Sequence, residues 1–136
     1  MPNKILLNNA DSIQKERPAD GSITPGHLIE LKSTGKVGVH STAGGIAQKS
    51  FAINQDFIGG SIDKLYADGD NVIYHVCAPG TEIYGLIASG VSVSIGGALE
   101  SAGDGTLKAR SSGALIAYAL ETKVAVASTR LKVEVA

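Results

Sequence analysis

Aromatic residues are scarce in this chain: 136 residues hold two phenylalanines, four tyrosines and no tryptophan. That leaves little material for an exposed aromatic platform of the kind that grips sugars. A single cysteine, Cys77, rules out an intramolecular disulfide framework. The formal net charge of −1 and the absence of any run of basic residues argue against a nucleic-acid or anionic-membrane partner. No apolar run approaches the roughly 18 residues that a membrane-spanning helix needs. The opening residues Met1 to Asn9 carry one lysine and an apolar run of only Ile5, Leu6 and Leu7, too short for a secretory leader, so synthesis in a cytoplasm is expected.

Glycine, by contrast, is plentiful: 17 residues, about twice the usual share. With 43% hydrophobic residues, this predicts a packed core made of short strands and tight turns. The clearest pattern runs from Gly69 to Leu107. Val72, Tyr74 and Val76 alternate with Ile73, His75 and Cys77, which reads as a strand. Ala78-Pro79-Gly80 stops it, Glu82 to Ile87 resumes an apolar strand, and Ser89-Gly90 stops that. Val91, Val93 and Ile95 alternate with serines, predicting a strand with one buried face. Gly96-Gly97 and Asp104-Gly105 are read as two hairpin turns.

Elsewhere, His27 to Lys32 and Lys36 to His40 predict a hairpin across Ser33-Thr34-Gly35, and residues 51–58 predict a strand. Ser61 is placed as the cap of one short helical turn carrying Ile62, Leu65 and Tyr66. Ala114 to Glu121 reads as a strand buried on both faces, and Val124 to Ala127 as its continuation. Leu131 to Val135 alternates strictly, with Leu131, Val133 and Val135 inward. The fold class expected is all-β: a compact antiparallel β-barrel or sandwich with one short helical turn and an extended N-terminal arm. Residues 1–22 form that arm and residues 23–136 the single domain. Pro2, Asn8, Asn9, Asp11, Pro18 and Gly21 interrupt any regular period in the arm. Its aliphatic anchors cannot by themselves offset the cost of fixing about twenty residues, roughly 1–2 kcal/mol each, so the expectation is either a mobile arm or one that a partner surface orders.

Catalytic chemistry is poorly supplied. His75 and Cys77 share a strand face, but side chains two residues apart stand about 6.5–7 Å from each other, too far for a nucleophile–base pair. His27, His40 and His75 are scattered with no carboxylate or cysteine at metal-ligand spacing, so no metal site and no cofactor are expected. Asp68-Gly69-Asp70-Asn71 lacks the ligand ladder of a calcium loop and reads as a turn. The glycine pairs lack the residues of a phosphate-binding loop. The chain is not expected to be an enzyme, and its function is expected to lie in its surfaces.

The ordered set of segments carries a resemblance. Thr24 to Leu31, Gly59 to Asp63, Tyr66 to Asp70, Glu82 to Ile87, Val93 to Leu107, Ala117 to Glu121 and Arg130 to Val135 resemble, in order and spacing, the small head-decoration or capsid cement proteins of tailed bacteriophages. The likeness spans roughly residues 22 to 136. It departs at Lys108 to Ala114, a short loop where many relatives carry a longer polar insertion. It implies a structural virion protein on the outer capsid surface that bridges neighbouring major capsid subunits. It also implies a homo-oligomer, a trimer before a dimer, with no nucleic-acid or membrane partner. Within the arm, Lys4, Ile5, Leu6, Leu7 and Ile13 are the expected capsid-binding residues. The competing expectation is a surface-exposed β-rich module that binds host-surface glycans.

Overall fold

The computed structural model describes residues 5–8, 12–54, 62 and 64–136, which fold into thirteen short strands with no helix among them. Five strands close into a barrel. They are β7 (Glu82–Ile87), β9 (Ala98–Ser101), β10 (Leu107–Ala109), β11 (Ala117–Ala119) and β13 (Thr129–Val135), in the ring order β7-β10-β9-β11-β13. β13 pairs with β7 from Thr129↔Ile87 to Glu134↔Glu82 and closes the ring. On the other edge of β7, β1 (Leu6–Asn8) covers the start, while β10 meets only Ile87, through Leu107. The first strand of the chain therefore completes the barrel wall.

A second, antiparallel sheet has the order β2-β6-β5-β3-β4, built from β2 (Ile13–Pro18), β3 (Leu28–Leu31), β4 (Val37–Val39), β5 (Ser50–Ala52) and β6 (Asn71–Val76). It curls until its two edges meet: Ala19 bridges Val37, and the Asp20 N–H donates to Val37 O at 2.7 Å. Both faces of this sheet are used. Leu28, Phe51 and Cys77 enter the barrel core beside Ile83, Leu99 and Leu131. Ile29, Ala52, Val72 and Tyr74 point the other way, into a second core with Ile23, Val37 and Tyr66. Burial on both faces explains why β6 reads as a nearly unbroken apolar run.

The expected all-β barrel is the observed architecture, and the strands read at 28–31, 37–39, 71–76, 82–87 and 131–135 are present. The turn at Asp104-Gly105 does join an antiparallel pair, β9 and β10. Several local expectations are corrected. Ser94 to Gly97 does turn, with Gly97 N–H donating to Ser94 O at 2.9 Å, but no hairpin forms there. β8 (Ser92–Val93) pairs instead with β12 (Lys123–Val124), because β9 is drawn between β10 and β11 to bury Leu99. Ala114 to Glu121 is not buried on both faces: only Ala117–Ala119 is a strand, and Tyr118 faces outward from the barrel wall. Val124 and Val126 are 71% and 92% exposed instead of continuing a buried strand. The proposed cap Ser61 and residues 55–58 lie outside the described residues. Tyr66, expected in the helical turn, forms a β-bridge with Ile23.

Candidate functional site

The N-terminal segment is the expected binding element, and the structure places its residues differently from one another. Lys4 lies outside the described residues. Ile5 is fully buried in the barrel core; its N–H donates to Asn54 Oδ1 at 3.2 Å and its carbonyl accepts from Tyr84 N–H at 2.7 Å. Leu6 and Leu7 are half-buried against the same core. Ile13 is 60% exposed and opens β2, a strand in which all six residues face solvent. Residues 5–8 and 12–19 thus lie along the body, one strand on each sheet.

The edge presented by β2 has a definite chemistry. The Ala19 N–H donates to Asp70 O, so Ile13, Lys15 and Arg17, in the same phase, direct their backbone groups at β6. Gln14, Glu16 and Pro18 direct theirs outward. At Pro18 that side already meets β4, where Ala19 bridges Val37 and the Asp20 N–H donates to Val37 O, so the open edge is confined to Gln14 and Glu16. With Lys15, Glu16 and Arg17 beside it, that edge resists the addition of another strand. Arg17 also reaches across to donate to Gly35 O at 3.1 Å, tying β2 to the β3–β4 turn.

Where the barrel meets the second sheet, polar residues form a closed junction. His40 is buried; its Nε2 lies 3.0 Å from Ile46 O, which can only accept, so Nε2 carries the proton. Nδ1 then accepts from Ser101 Oγ at 2.7 Å, and Ser101 Oγ in turn accepts from Gly103 N–H. This serine–histidine contact is sealed, with Ser101 fully buried, so it serves as a strut. Beside it, the backbone N–H groups of Ser111 and Gly113 hold the Glu100 carboxyl below its ordinary range and outweigh burial. They fix the short loop after β10. Arg130 donates to Pro25 O and Ile62 O.

The His75–Cys77 pair does not assemble a nucleophile. His75 Nδ1 contacts Ser12 Oγ at 2.8 Å, while the Cys77 thiol faces His75 O and is pushed up to about 12 by burial. In the acidic turn, Asp68 accepts from Gly21 N–H and Asp70 from Ala67 N–H, both at 2.9 Å, so these carboxylates are spent on the backbone. Among the described residues no three of His, Cys, Asp and Glu converge in a metal-binding group. Tyr118 is the single aromatic among the exposed large hydrophobic residues described, a thin basis for sugar stacking.

Two histidines, His75 buried and His27 half-buried, make the fold acid-sensitive. Burial lowers His27 below its ordinary 6.5, and the Arg130 charge adds to this while Asp104 partly opposes it. Burial likewise lowers His75. The unfolded chain therefore takes up these protons first, and stability present above about pH 6.5 declines as the pH falls below it. For Glu30, burial alone would raise the carboxyl, but hydrogen bonds from Lys32 and Ser41 reverse this and bring it to about 2. Its contribution, present above about pH 4.5, is lost only as the pH falls through about 2. Thermal melts at pH 7.5 and pH 5 should show a lower midpoint at pH 5. His27→Gln and His75→Gln should each reduce that difference.

No family model matches the chain, and neither does any curated relative. Among solved structures, the N base of the head fiber gp8.5 of bacteriophage phi29 superposes with a TM-score of 0.60 at 13% identity, covering 92% of this chain and 94% of that one. The fold resembles a phage head-fibre base. At this identity the likeness is one of architecture.

Proposed function

We propose that the protein is a structural component of a phage virion that binds the outer surface of the assembled capsid and stabilises the shell by bridging neighbouring major capsid subunits. The observation that carries this reading is the fold shared with a head-fibre base over nearly the full length of both chains. The ordered sequence resemblance to capsid cement proteins points the same way. A ligand that binds only the assembled shell stabilises it by RT ln(1 + [L]/Kd). A symmetric oligomer, a homotrimer before a dimer, engages several equivalent shell sites at once and gains avidity.

Within Lys4, Ile5, Leu6, Leu7 and Ile13, the capsid contact falls chiefly to Ile13. Ile5 is committed to the barrel, and Leu6 and Leu7 present only their outer edges. Contact is made through side chains instead of strand addition, since Lys15, Glu16 and Arg17 crowd the short open edge with charge. Removing residues 2–22 is a poor test, because it would strip Ile5 from the core and uncover β6.

Point variants separate the roles. Ile13→Asp should leave stability within about 0.5 kcal/mol and weaken capsid binding at least tenfold. Ile5→Ala should lower stability by roughly 2–4 kcal/mol. Unchanged affinity in Ile13→Asp would remove the arm contact while leaving the capsid reading intact. Absence of binding by the unaltered protein would remove both.

A further inference from the structure

Three Asp-Gly pairs occur in the chain: Asp20-Gly21, Asp68-Gly69 and Asp104-Gly105. In such a pair the glycine nitrogen can attack the aspartate Cγ, because glycine has no side chain to hinder the approach. An N–Cγ bond closes a five-membered succinimide, and the N–H proton leaves with the carboxyl hydroxyl as water. Hydrolysis returns the water at either ring carbonyl, and one of the two products carries the main chain through Cγ as isoaspartate. The reaction needs a glycine N–H that is free to lose its proton, and room for the ring.

The fold withholds these requirements unequally. Asp104-Gly105 is shut by packing: Gly105 is buried, its N–H donates to His40 O, and Val39 and His27 crowd its Cα. Around Gly69 there is open space, but its N–H donates at 2.9 Å to Ala19 O, a backbone acceptor held in place by the Ala19–Val37 bridge. Asp20-Gly21 has neither protection. Asp20 is exposed, and nothing lies within 4 Å of where a side chain on Gly21 would begin. The Gly21 N–H is held by a side chain, donating to Oδ1 of the exposed Asp68 at 2.9 Å.

We propose that Asp20 is the chain's site of isoaspartate formation, and that the Asp68 carboxylate is the guard that holds the reaction off. The position matters to the fold. Asp20 stands where the second sheet closes on itself, with its N–H on Val37 O. Three residues later Ile23 forms its bridge with Tyr66. Isoaspartate at residue 20 adds one atom to the main chain between these two contacts, so they lose their common register. Ageing at this one residue therefore loosens the ring closure of the second sheet and leaves the barrel pairing of β7 with β13 untouched.

The inference rests on local geometry and does not depend on capsid binding. The full chain is aged in warm neutral buffer beside Asp68→Ala, Asp68→Asn and Asp70→Ala, then digested. Electron-transfer fragmentation of the peptides measures isoaspartate at each position. Asp68→Ala should form isoaspartate at residue 20 at least tenfold faster than the parent. Asp68→Asn keeps an Oδ1 acceptor for Gly21 N–H and should hold residue 20 at the parent's rate. Asp70→Ala takes the acceptor from Ala67 N–H in the same turn but spares the Gly21 contact, so it too should match the parent. That variant separates loss of the guard from a general loosening of the turn. Asp104 should stay unmodified in all four proteins. Equal rates at residue 20 in the parent and Asp68→Ala would overturn the proposal. So would Asp70→Ala ageing as fast as Asp68→Ala, or isoaspartate appearing in the parent at Asp68 or Asp104 before Asp20.

Discussion

Gly105→Ala should destabilise the fold by roughly 2–5 kcal/mol, from a backbone cost of about 1–2 kcal/mol for a side chain at positive φ and about 1–3 kcal/mol of overpacking. Gly105 lies at the tip of the β9–β10 hairpin with φ +85°, and that tip is driven into the second sheet. Its N–H donates to His40 O and its carbonyl accepts from Leu28 N–H. A methyl group there would sit 2.9 Å from Val39 Cβ and 3.0 Å from His27 Cδ2. None of these can yield without disturbing the β3–β4 hairpin. Gly69 provides the control: its φ is +86°, yet a methyl group would meet nothing within 4 Å. Gly69→Ala should therefore cost only about 1 kcal/mol, the conformational part alone. Urea melts of the two variants measure the difference. Equal losses would mean that the hairpin tip is not wedged between the sheets.

Phe51→Ala should cost about 3–5 kcal/mol, a large share of the roughly 5–15 kcal/mol that holds a domain of this kind together. Phe51 is on β5 of the second sheet, opposite His75 on β6 and Leu28 on β3, yet its side chain is fully buried in the barrel core. Among the described residues it is the largest fully buried side chain, and with Leu28 and Cys77 it fastens one sheet to the other. Truncation leaves a cavity at that seam, which the barrel wall cannot collapse to fill without breaking β7–β13 pairing. Denaturant midpoints give the loss directly. For comparison, Ile46→Ala, at a site 90% exposed, should shift stability by less than about 0.5 kcal/mol.

The parts of the fold that can be read from the chain are those where one face is buried and the other wet. β13 alternates Leu131, Lys132, Val133, Glu134 and Val135, and burial follows that order. β3 and β4 are legible for a different reason: Gly35, at φ +84°, turns the chain where the apolar runs break. Legibility fails where apolar residues are small and continuous. Ala117, Ala119, Val124 and Val126 look alike in sequence, but the first two line the barrel and the valines face solvent. Composition cannot tell a barrel wall from an exposed ribbon, because the distinction rests on whether β12 pairs with β13 or with β8.

The candidate site divides in the same way. Ile5 and Ile13 are both isolated aliphatics in polar surroundings, so the sequence treats them as equivalent anchors. The structure separates them through a long-range contact, Ile5 with Asn54 and Tyr84, that no local pattern announces. The guarded edge of β2 is legible in its charges. Lys15-Glu16-Arg17 is a run of charge on an exposed strand, and it guards the part of the edge that β4 does not cover.

The decisive measurement is co-sedimentation of the purified protein with bare capsids of its source phage, titrated to saturation and paired with the melting temperature of the shell. Saturable binding at a fixed number of copies per capsid, together with a shell that melts at a higher temperature when decorated, is the predicted result. Protein that stays in the supernatant at every concentration, or that binds without saturating and leaves the shell's melting temperature unchanged, would contradict a role in capsid stabilisation.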